Sequence, residues 1–205
     1  MSFSKTKIYN LALSALLLSR EVDNVETSKD REVKILNVHY DTAIQSTLQD
    51  LDLDSTSEEV TLELLETLSE GPWTYVYKYP SDCSFFRRIK SGCEIDNRTS
   101  HIPKKVKMYK NQKVIFTNEV NAIAELIPED VNLAHLGSMT ALCIAYRLAF
   151  LSAPLIVGKG AKTLRRDILE LYTLTKSDAQ ENDARENFNY ETDWQRSEFV
   201  EVRLS

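Results

Sequence analysis

The segment most suggestive of chemistry is Gly158-Lys159-Gly160-Ala161-Lys162-Thr163, because it follows an apolar stretch and precedes a predicted helix, as phosphate-binding loops do. A phosphate loop also needs glycine where Ala161 and Ile156 stand, since β-carbons there crowd the backbone amides that cradle phosphate. We therefore interpret this segment as a glycine-rich turn between two helices. With only five glycines in 205 residues, dinucleotide-binding folds are also poorly supported.

Histidine and cysteine, the usual metal ligands and nucleophiles, are few and poorly spaced for chemistry. The three histidines are far apart and match no ligand motif: His39, His101 and His135. The three cysteines form no Cys-x-x-Cys pair: Cys83, Cys93 and Cys143. We interpret them as reduced structural thiols of a protein made in a reducing cytoplasm. We therefore predict no catalytic residue, metal or cofactor, and a structural or binding protein rather than an enzyme.

Charge is unevenly distributed along the chain. Between residues 78 and 113 there are ten basic residues against three acidic ones, although the whole chain has a net charge of -6. Such a block suggests either a polyanion partner or an acidic protein surface, and a solvated sheet face explains it equally well. Arg87 and Arg88 lie in this block beside aromatic residues, so one hypothesis is a nucleic-acid-binding protein that uses the basic aromatic block 73–113.

Four aromatic residues alternate along a predicted strand before this block and are expected to share one face: Trp73, Tyr75, Tyr77 and Tyr79. Val60, Leu62 and Leu64 also alternate, which predicts another strand. Lys110-Asn111-Gln112 separates two further strand patterns and predicts a hairpin, because Asn111 tolerates positive φ. The strand patterns together predict a β region over about residues 58–127.

The stretch from Leu136 to Val157 is the most apolar part of the chain, with Arg147 as its only charged residue. At helical spacing its apolar residues cover two faces, which predicts a central helix, a helix covered by a neighbouring subunit, or a membrane span. Arg147 and Pro154 disfavour the membrane, so we predict none. We expect Arg147 to meet Asp167 or Glu170 of the following helix, within or between subunits.

The remaining periodicities predict an α+β fold that is mainly helical. Helices are expected at about residues 4–18, 29–50, 130–153 and 160–186, with Ser28 as a plausible N-cap and Pro128 announcing the third helix. The predicted fold is an antiparallel helix bundle with a small antiparallel β region inserted between its N-terminal and C-terminal helices. Residues 1–186 would form one domain.

Residues 187–205 have no helical period and are predicted to form an extended C-terminal arm. Trp194 stands alone in this segment, and Val200, Val202 and Leu204 alternate with charged residues. Such a strand pattern favours addition to the sheet edge of another chain, and a disordered terminus is an equally good reading.

The order of these features resembles the head-to-tail adaptor, of the tail tubular protein A type, of short-tailed bacteriophages. The N-terminal part of the resemblance is carried by Trp73, Tyr75, Tyr77, Tyr79, Pro80, Asp82, Cys83, Arg87, Arg88 and Ile89. The C-terminal part is carried by Asn118, Ala122, Ala141, Ala145, Leu148, Ala149, Tyr172 and Ala179. The resemblance covers about residues 5–186. The polar insertion from Lys90 to His101 and the arm depart from the family pattern.

The resemblance implies a structural virion protein in the portal-proximal part of the tail. Such a subunit forms a homo-oligomeric ring, typically of about twelve copies, beneath the portal protein. The ring continues the channel through which genomic DNA passes without specific binding, and it provides the attachment site for the tail nozzle or tail tube protein. A neighbour in the ring would cover the second apolar face of the central helix. The interface candidates are Trp73, Tyr75, Tyr77, Tyr79, Arg87, Arg88, Arg147, Trp194, Val200, Val202 and Leu204.

Overall fold

The computed structural model describes residues 3–90 and 102–186, and within them it is an α+β structure of four helices and two antiparallel sheets. The helices are α1 (Lys5–Ala15), α2 (Arg31–Leu51), α3 (Ser138–Ile156) and α4 (Ala161–Glu186). The strands are β1 (Glu58–Thr61), β2 (Leu64–Thr67), β3 (Tyr75–Lys78), β4 (Cys83–Lys90), β5 (Lys104–Tyr109), β6 (Gln112–Thr117) and β7 (Ile123–Pro128). The α+β class and the position of the β region between two pairs of helices are as the sequence predicts.

Three of the four predicted helices differ from the observed ones only at their ends. α1 ends at Ala15 rather than near residue 18, because Leu17 adopts a left-handed backbone with φ of 60°. α2 begins after Asp30, which occupies the N-cap position that the sequence suggested for Ser28. The side chain of Ser28 instead accepts a hydrogen bond from the Asp30 backbone N–H, at 3.3 Å.

The start of the central helix was predicted wrongly. α3 begins at Ser138, eight residues later than expected, because Pro128 is the last residue of β7 and pairs with Cys83. The backbone N–H of Glu129 continues this pairing by donating to the carbonyl of Asp82 at 2.9 Å. Proline suits a strand end as well as a first helical turn, so the pairing with β4 decides between them. At the other end, Pro154 lies inside α3 rather than ending it.

α3 is the central helix of its own chain, since it packs against α1, α2 and α4. Ile144, Ala145, Leu148 and Ala149 are fully buried in the resulting core. The ring hypothesis expected a neighbouring subunit to cover the second apolar face of this helix. That expectation is wrong, because helices of the same chain cover it. In the described part of the chain, α3 is also the one helix whose length and apolarity would allow a membrane span, a test that buried core helices pass as well.

The β region consists of two sheets, with strand orders β1-β7-β4 and β2-β3-β6-β5. The predicted hairpin is confirmed: Lys110 and Asn111, at φ of 47° and 64°, connect β5 to β6. The alternating pattern of Val60, Leu62 and Leu64 was expected to be one strand, but it is divided between the two sheets. A periodicity of two does not reveal which partner strand each residue meets.

β7 separates two hydrophobic cores. Ile127 belongs to the helical core. Leu126 and Ala124 belong to the core between the sheets, which also contains Tyr77 and Ile115. Because alternate residues of a strand face opposite sides, Glu125 shares the helix-facing side with Ile127. This placement brings an acidic residue to the junction between the β region and the helices.

Candidate functional site

The four aromatic candidates do not share one face, contrary to the sequence prediction. Trp73 precedes β3 and packs with Val76 and Phe116 on one side of the second sheet, whereas Tyr75, Tyr77 and Tyr79 contact the core on the other. The alternation breaks because Trp73 lies in the irregular segment before the strand, outside its regular pleat. Tyr77 is also buried, and its hydroxyl donates to the carbonyl of Glu119 at 3.0 Å, so it is a core residue in this chain.

Arg87 and Arg88 converge on one buried carboxylate. Arg88 Nε lies 2.8 Å from Glu125 Oε2, and Arg87 Nη1 contacts Glu125 Oε1. Consecutive residues of a regular strand point to opposite faces, but the register of β4 against β7 shifts between Phe86 and Arg88. Lys90 Nζ is 3.3 Å from the same Oε2. We call Glu125 with these three cations the Glu125 cluster.

Arg87 also connects this cluster to the end of α2. Its Nε is 2.6 Å from Asp52 Oδ1, its Nη1 is 2.8 Å from Asp54 Oδ1, and its Nη2 donates to the Asp52 carbonyl at 3.0 Å. Burial alone would lower the pKa of Arg87, but hydrogen bonds to Asp54 and Asp52 and the charges of Asp52 and Glu125 raise it above its ordinary value. Arg87 is therefore a permanently charged link that fixes the β region to the helices.

Much of the basic block is neutralised by acidic residues that lie outside residues 78–113. Outside the Glu125 cluster, two lysines have carboxylate partners on or beside β2: Lys78 with Glu63 at 3.2 Å and Lys110 with Glu66 at 2.7 Å. Lys90, which belongs to the cluster, also lies 2.7 Å from Glu59 of β1. Others lie over aromatic rings: Lys104 over Phe86, Lys107 over Phe116 and Lys113 over Tyr79. Half of the ten basic residues of this block therefore have a carboxylate partner in the described part of the chain, and the contacts with aromatic rings leave the charges of the other lysines in place.

Lys104, unlike Lys105 and Lys107 on the same strand, is partly buried. Its ammonium group donates to the carbonyl of Arg87, and burial lowers its pKa. Lys105 and Lys107 are exposed on the edge strand β5. Lysines on an edge strand also protect the sheet against pairing with other chains.

Arg147 meets neither Asp167 nor Glu170, the partners predicted for it. Its Nη2 is 2.9 Å from Asp50 Oδ2 of α2 and 3.0 Å from the hydroxyl of Tyr172 on α4. The Tyr172 hydroxyl donates to the same carboxylate at 2.6 Å, and Lys176 Nζ lies 2.7 Å from Asp50 Oδ1. Asp167 and Glu170 lie on the exposed part of α4, away from α3.

We call these residues the Asp50 cluster, and it joins three helices. Burial raises the pKa of Asp50, but hydrogen bonds from Lys176 and Tyr172 and the charges of Lys176 and Arg147 outweigh burial and lower it overall. Cys143 lies nearby in α3, where burial and the charge of Asp50 raise the pKa of its thiol to about 12. This thiol is therefore neutral and a poor nucleophile.

The glycine-rich segment is a turn between α3 and α4, as predicted. Gly158 and Gly160 have φ of 66° and 98°, a region that side chains disfavour. The backbone N–H of Ala161 donates to the carbonyl of Gly158 at 3.1 Å, so this amide is already hydrogen-bonded within the turn. The two glycines therefore allow the chain to reverse direction between α3 and α4.

Among residues 3–90 and 102–186, no group of three His, Cys, Asp or Glu side chains is placed to hold a metal ion. The interface candidates Trp194, Val200, Val202 and Leu204 lie outside the described residues, as do Cys93 and His101.

Sequence reasoning missed Asp50, Glu125 and Tyr172 as the residues that organise polar contacts. Glu125 carried a signal, since it is the one charged residue within the apolar pattern from Ala122 to Ile127. Asp50 carried none, because its partners lie on distant segments. No protein-family model matches the chain, and a search of curated proteins gave no significant match.

Proposed function

We propose that this chain is a head-to-tail adaptor of a short-tailed bacteriophage. It would be a structural virion protein, not an enzyme, that forms a ring of about twelve copies beneath the portal protein. The ring would continue the DNA channel and provide the attachment site for the tail nozzle. In this proposal the four helices form an antiparallel bundle, which carries the β region and an extended C-terminal arm.

The observation that carries the proposal is the order of the parts. Two helices, a β region with a core of its own, and two further helices that complete the first core follow one another along the chain. This order fits a helical ring body with a projecting β part for the next tail component. The ion pairs of Arg87 fix the two parts to each other, as a load-transmitting connector requires.

The charge pattern supports protein docking over DNA binding. A protein that binds phosphates needs cations without other partners. Arg87 and Arg88 instead form ion pairs with Glu125, Asp52 and Asp54. A channel through which DNA passes is expected to be tolerant of the polyanion, which agrees with the net charge of -6. The nucleic-acid-binding hypothesis is therefore the alternative that the experiment has to exclude.

The test is native mass spectrometry of the full chain, alone and mixed with the portal protein from the same source. The adaptor proposal expects a defined complex of about twelve copies with the portal. A chain that stays monomeric in both samples would overturn it. Duplex DNA binding is measured in parallel at about 50 and 200 mM salt, with the exposed pair Lys105→Gln/Lys107→Gln as the probe variant. Tight, salt-sensitive binding that this variant loses would favour the alternative.

The arm is tested in the same assay. A chain that ends at residue 186 keeps every described element, so its fold provides an internal control. If residues 187–205 grip the portal or a neighbouring subunit, the shortened chain loses the complex while its circular dichroism spectrum keeps its helical signal. A complex of unchanged size would remove the arm from the proposal.

A further inference from the structure

β5 is an edge strand whose open side has no strand partner among residues 3–90 and 102–186. It ends the second sheet and pairs with β6 alone. The four consecutive residues from Lys105 to Met108 are exposed, and two of them are apolar: Val106 is 38% exposed and Met108 is 66% exposed. An exposed strand edge that carries apolar side chains favours pairing with a further strand.

The backbone polar groups of Val106 and Met108 point to this open side. Lys113 of β6 is opposite Met108, but its carbonyl accepts a hydrogen bond at 3.2 Å from the backbone N–H of Tyr79, on the side away from β5. Met108 and Lys113 therefore form a pair that exchanges no hydrogen bonds. Because such pairs alternate with hydrogen-bonded pairs along an antiparallel ladder, Val106 is in the same situation as Met108, whereas Lys105 and Lys107 bond to β6.

The two faces of β5 differ in chemistry. Lys107 is opposite Val114, which belongs to the small cluster on one face of the second sheet. Val106 is opposite Ile115, which belongs to the core between the sheets, and Met108 shares this face with Val106. A strand that completes this edge therefore needs apolar residues beside Val106 and Met108 and an acidic residue beside Lys107.

The C-terminal segment, which lies outside the described residues, contains this pattern with the opposite charge. Val200-Glu201-Val202 corresponds to Val106-Lys107-Met108, with apolar residues at both outer positions and a charge between them. The match holds for parallel and for antiparallel pairing, because Glu201 is opposite Lys107 in both. Residues 187–205 also contain four acidic and two basic residues, so the segment as a whole is attracted to a basic strand.

The other described sheet edges offer a poorer complement to this segment. β1 begins with Glu58 and Glu59, and β2 contains Glu66 and no basic residue, so both would place acids near Glu201. The cations of β4 already surround Glu125. β5 is therefore the edge that the segment fits best.

The start of β5 also lies within reach of the end of α4 in the same chain. Asp183 in the last turn of α4 accepts from the backbone N–H of Asp54 at 2.9 Å, and Asp54 Oδ1 is 2.8 Å from Arg87 Nη1. The carbonyl of Arg87 accepts from the ammonium group of Lys104, the first residue of β5. Only two residues thus separate α4 from β5 along this path, whereas the thirteen residues 187–199 can span about 43 Å when extended.

We infer that residues 199–204 pair with β5 of the same chain and add a fifth strand to the second sheet. Val200 and Val202 lie beside Val106 and Met108, and Glu201 lies beside Lys107. A tethered segment has an effective concentration in the millimolar range, so it competes well against the same segment of other copies at micromolar concentration. The chain thereby closes one of its own sheet edges to other chains. This inference does not rest on the proposed adaptor function, and its test uses the chain alone.

The test is amide hydrogen exchange followed by NMR on the full chain and on a chain that ends at Ser197. The shortened chain keeps every described element. The amides of Val106 and Met108 are expected to exchange at least about tenfold faster in the shortened chain, because they lose their partners. The amides of Lys105 and Lys107 bond to β6 in both chains and serve as the internal control. Equal exchange of Val106 and Met108 in the two chains would overturn the inference.

Charge reversal within the full chain tests the register. Glu201→Lys places a lysine beside Lys107 and is expected to speed exchange at Val106 and Met108 by about threefold. Lys107→Glu should do the same, and the combined variant restores opposite charges and should recover the slow exchange. Asp193→Lys makes the same charge change outside the pairing residues and is the matched control. An effect of Glu201→Lys no larger than that of Asp193→Lys would contradict the pairing.

Carbodiimide cross-linking of the unchanged chain identifies which copy supplies the strand. In a mixture of isotope-labelled and unlabelled copies, links between Lys107 and Glu201 are expected within copies of one label only. Links between differently labelled copies would show that a second copy supplies the strand, which overturns the assignment to the same chain. The absence of any link between these two residues would overturn the pairing itself.

Discussion

The β region and the helical layer each place a carboxylate among cations, but in different surroundings. The side chain of Glu125 is 3% exposed and faces three cations, whereas that of Asp50 is 37% exposed and faces two cations and a phenol. Removing one member of a buried cluster leaves charges that water cannot solvate, whereas solvent screens an exposed one. The attachment of the β region should therefore depend on Glu125 more than the helices depend on Asp50.

The largest expected effect is that of Glu125→Gln. The change leaves Arg87, Arg88 and Lys90 without their shared carboxylate, so the free energy of unfolding should fall by about 3 kcal/mol in urea titrations. Glu59→Gln removes the exposed partner of Lys90 and is the control, with a loss of at most about 0.5 kcal/mol. Equal effects of the two changes would break the comparison.

Asp50→Asn is expected to cost less, about 1 kcal/mol, because the carboxylate it removes is partly solvated. Asp41→Asn on the exposed face of the same helix controls for the loss of one acidic residue from α2. Thermal unfolding followed by circular dichroism measures both. A loss at Asp50 larger than that at Glu125 would contradict the ranking by burial.

The stability difference between the unchanged chain and Asp50→Asn should depend on pH, and this dependence tests whether the charge of Asp50 causes it. Folding lowers the pKa of Asp50. The ionised carboxylate therefore stabilises the folded state at pH values above 3.8, the ordinary pKa of this group. This stabilisation is lost as the pH falls through the lowered pKa of the folded state. The stability gap between the unchanged chain and Asp50→Asn should therefore be constant near neutral pH and shrink below about pH 4. A gap that stays constant down to pH 2.5 would show that packing, not charge, accounts for it.

The smallest effect is a difference in thiol reactivity between the two regions. Burial raises the pKa of both thiols, but Cys83 in β4 is partly exposed whereas Cys143 beside Asp50 is buried, with a pKa of about 12. At pH 8, iodoacetamide should therefore modify Cys83 well before Cys143, as followed by peptide mass spectrometry. In urea the two rates should become equal. Faster modification of Cys143 in the folded chain would show that the helical layer opens before the β region does.

Local patterns predicted most of the secondary structure. α1, α2, α4 and the hairpin at Lys110-Asn111 follow from periodicity and from residues that tolerate positive φ. The errors occurred where two local readings were equally good. Pro128 suits a strand end and a helix start, and Val60 to Leu64 suits one strand or two.

The candidate site was less predictable because its charges are paired across the chain. The basic block is contiguous in the sequence, but the acids that pair with it lie before and after it: on β1, β2 and β7, between β1 and β2, and at the end of α2. Tyr77 was expected at an interface and is buried, because alternation identifies a face without saying which face is covered.

The sequence by itself determined α1, α2, α4, the hairpin and the glycine turn, because each depends on side-chain spacing and backbone preference within a few residues. Only the tertiary structure decided the partners of Arg87 and Arg147, the number of sheets and the cover of α3. The Tyr172 hydroxyl and Asp50 are 122 residues apart in the chain and 2.6 Å apart in space. A Coulombic contact depends on that spatial distance, which packing of the helices sets and no local pattern encodes.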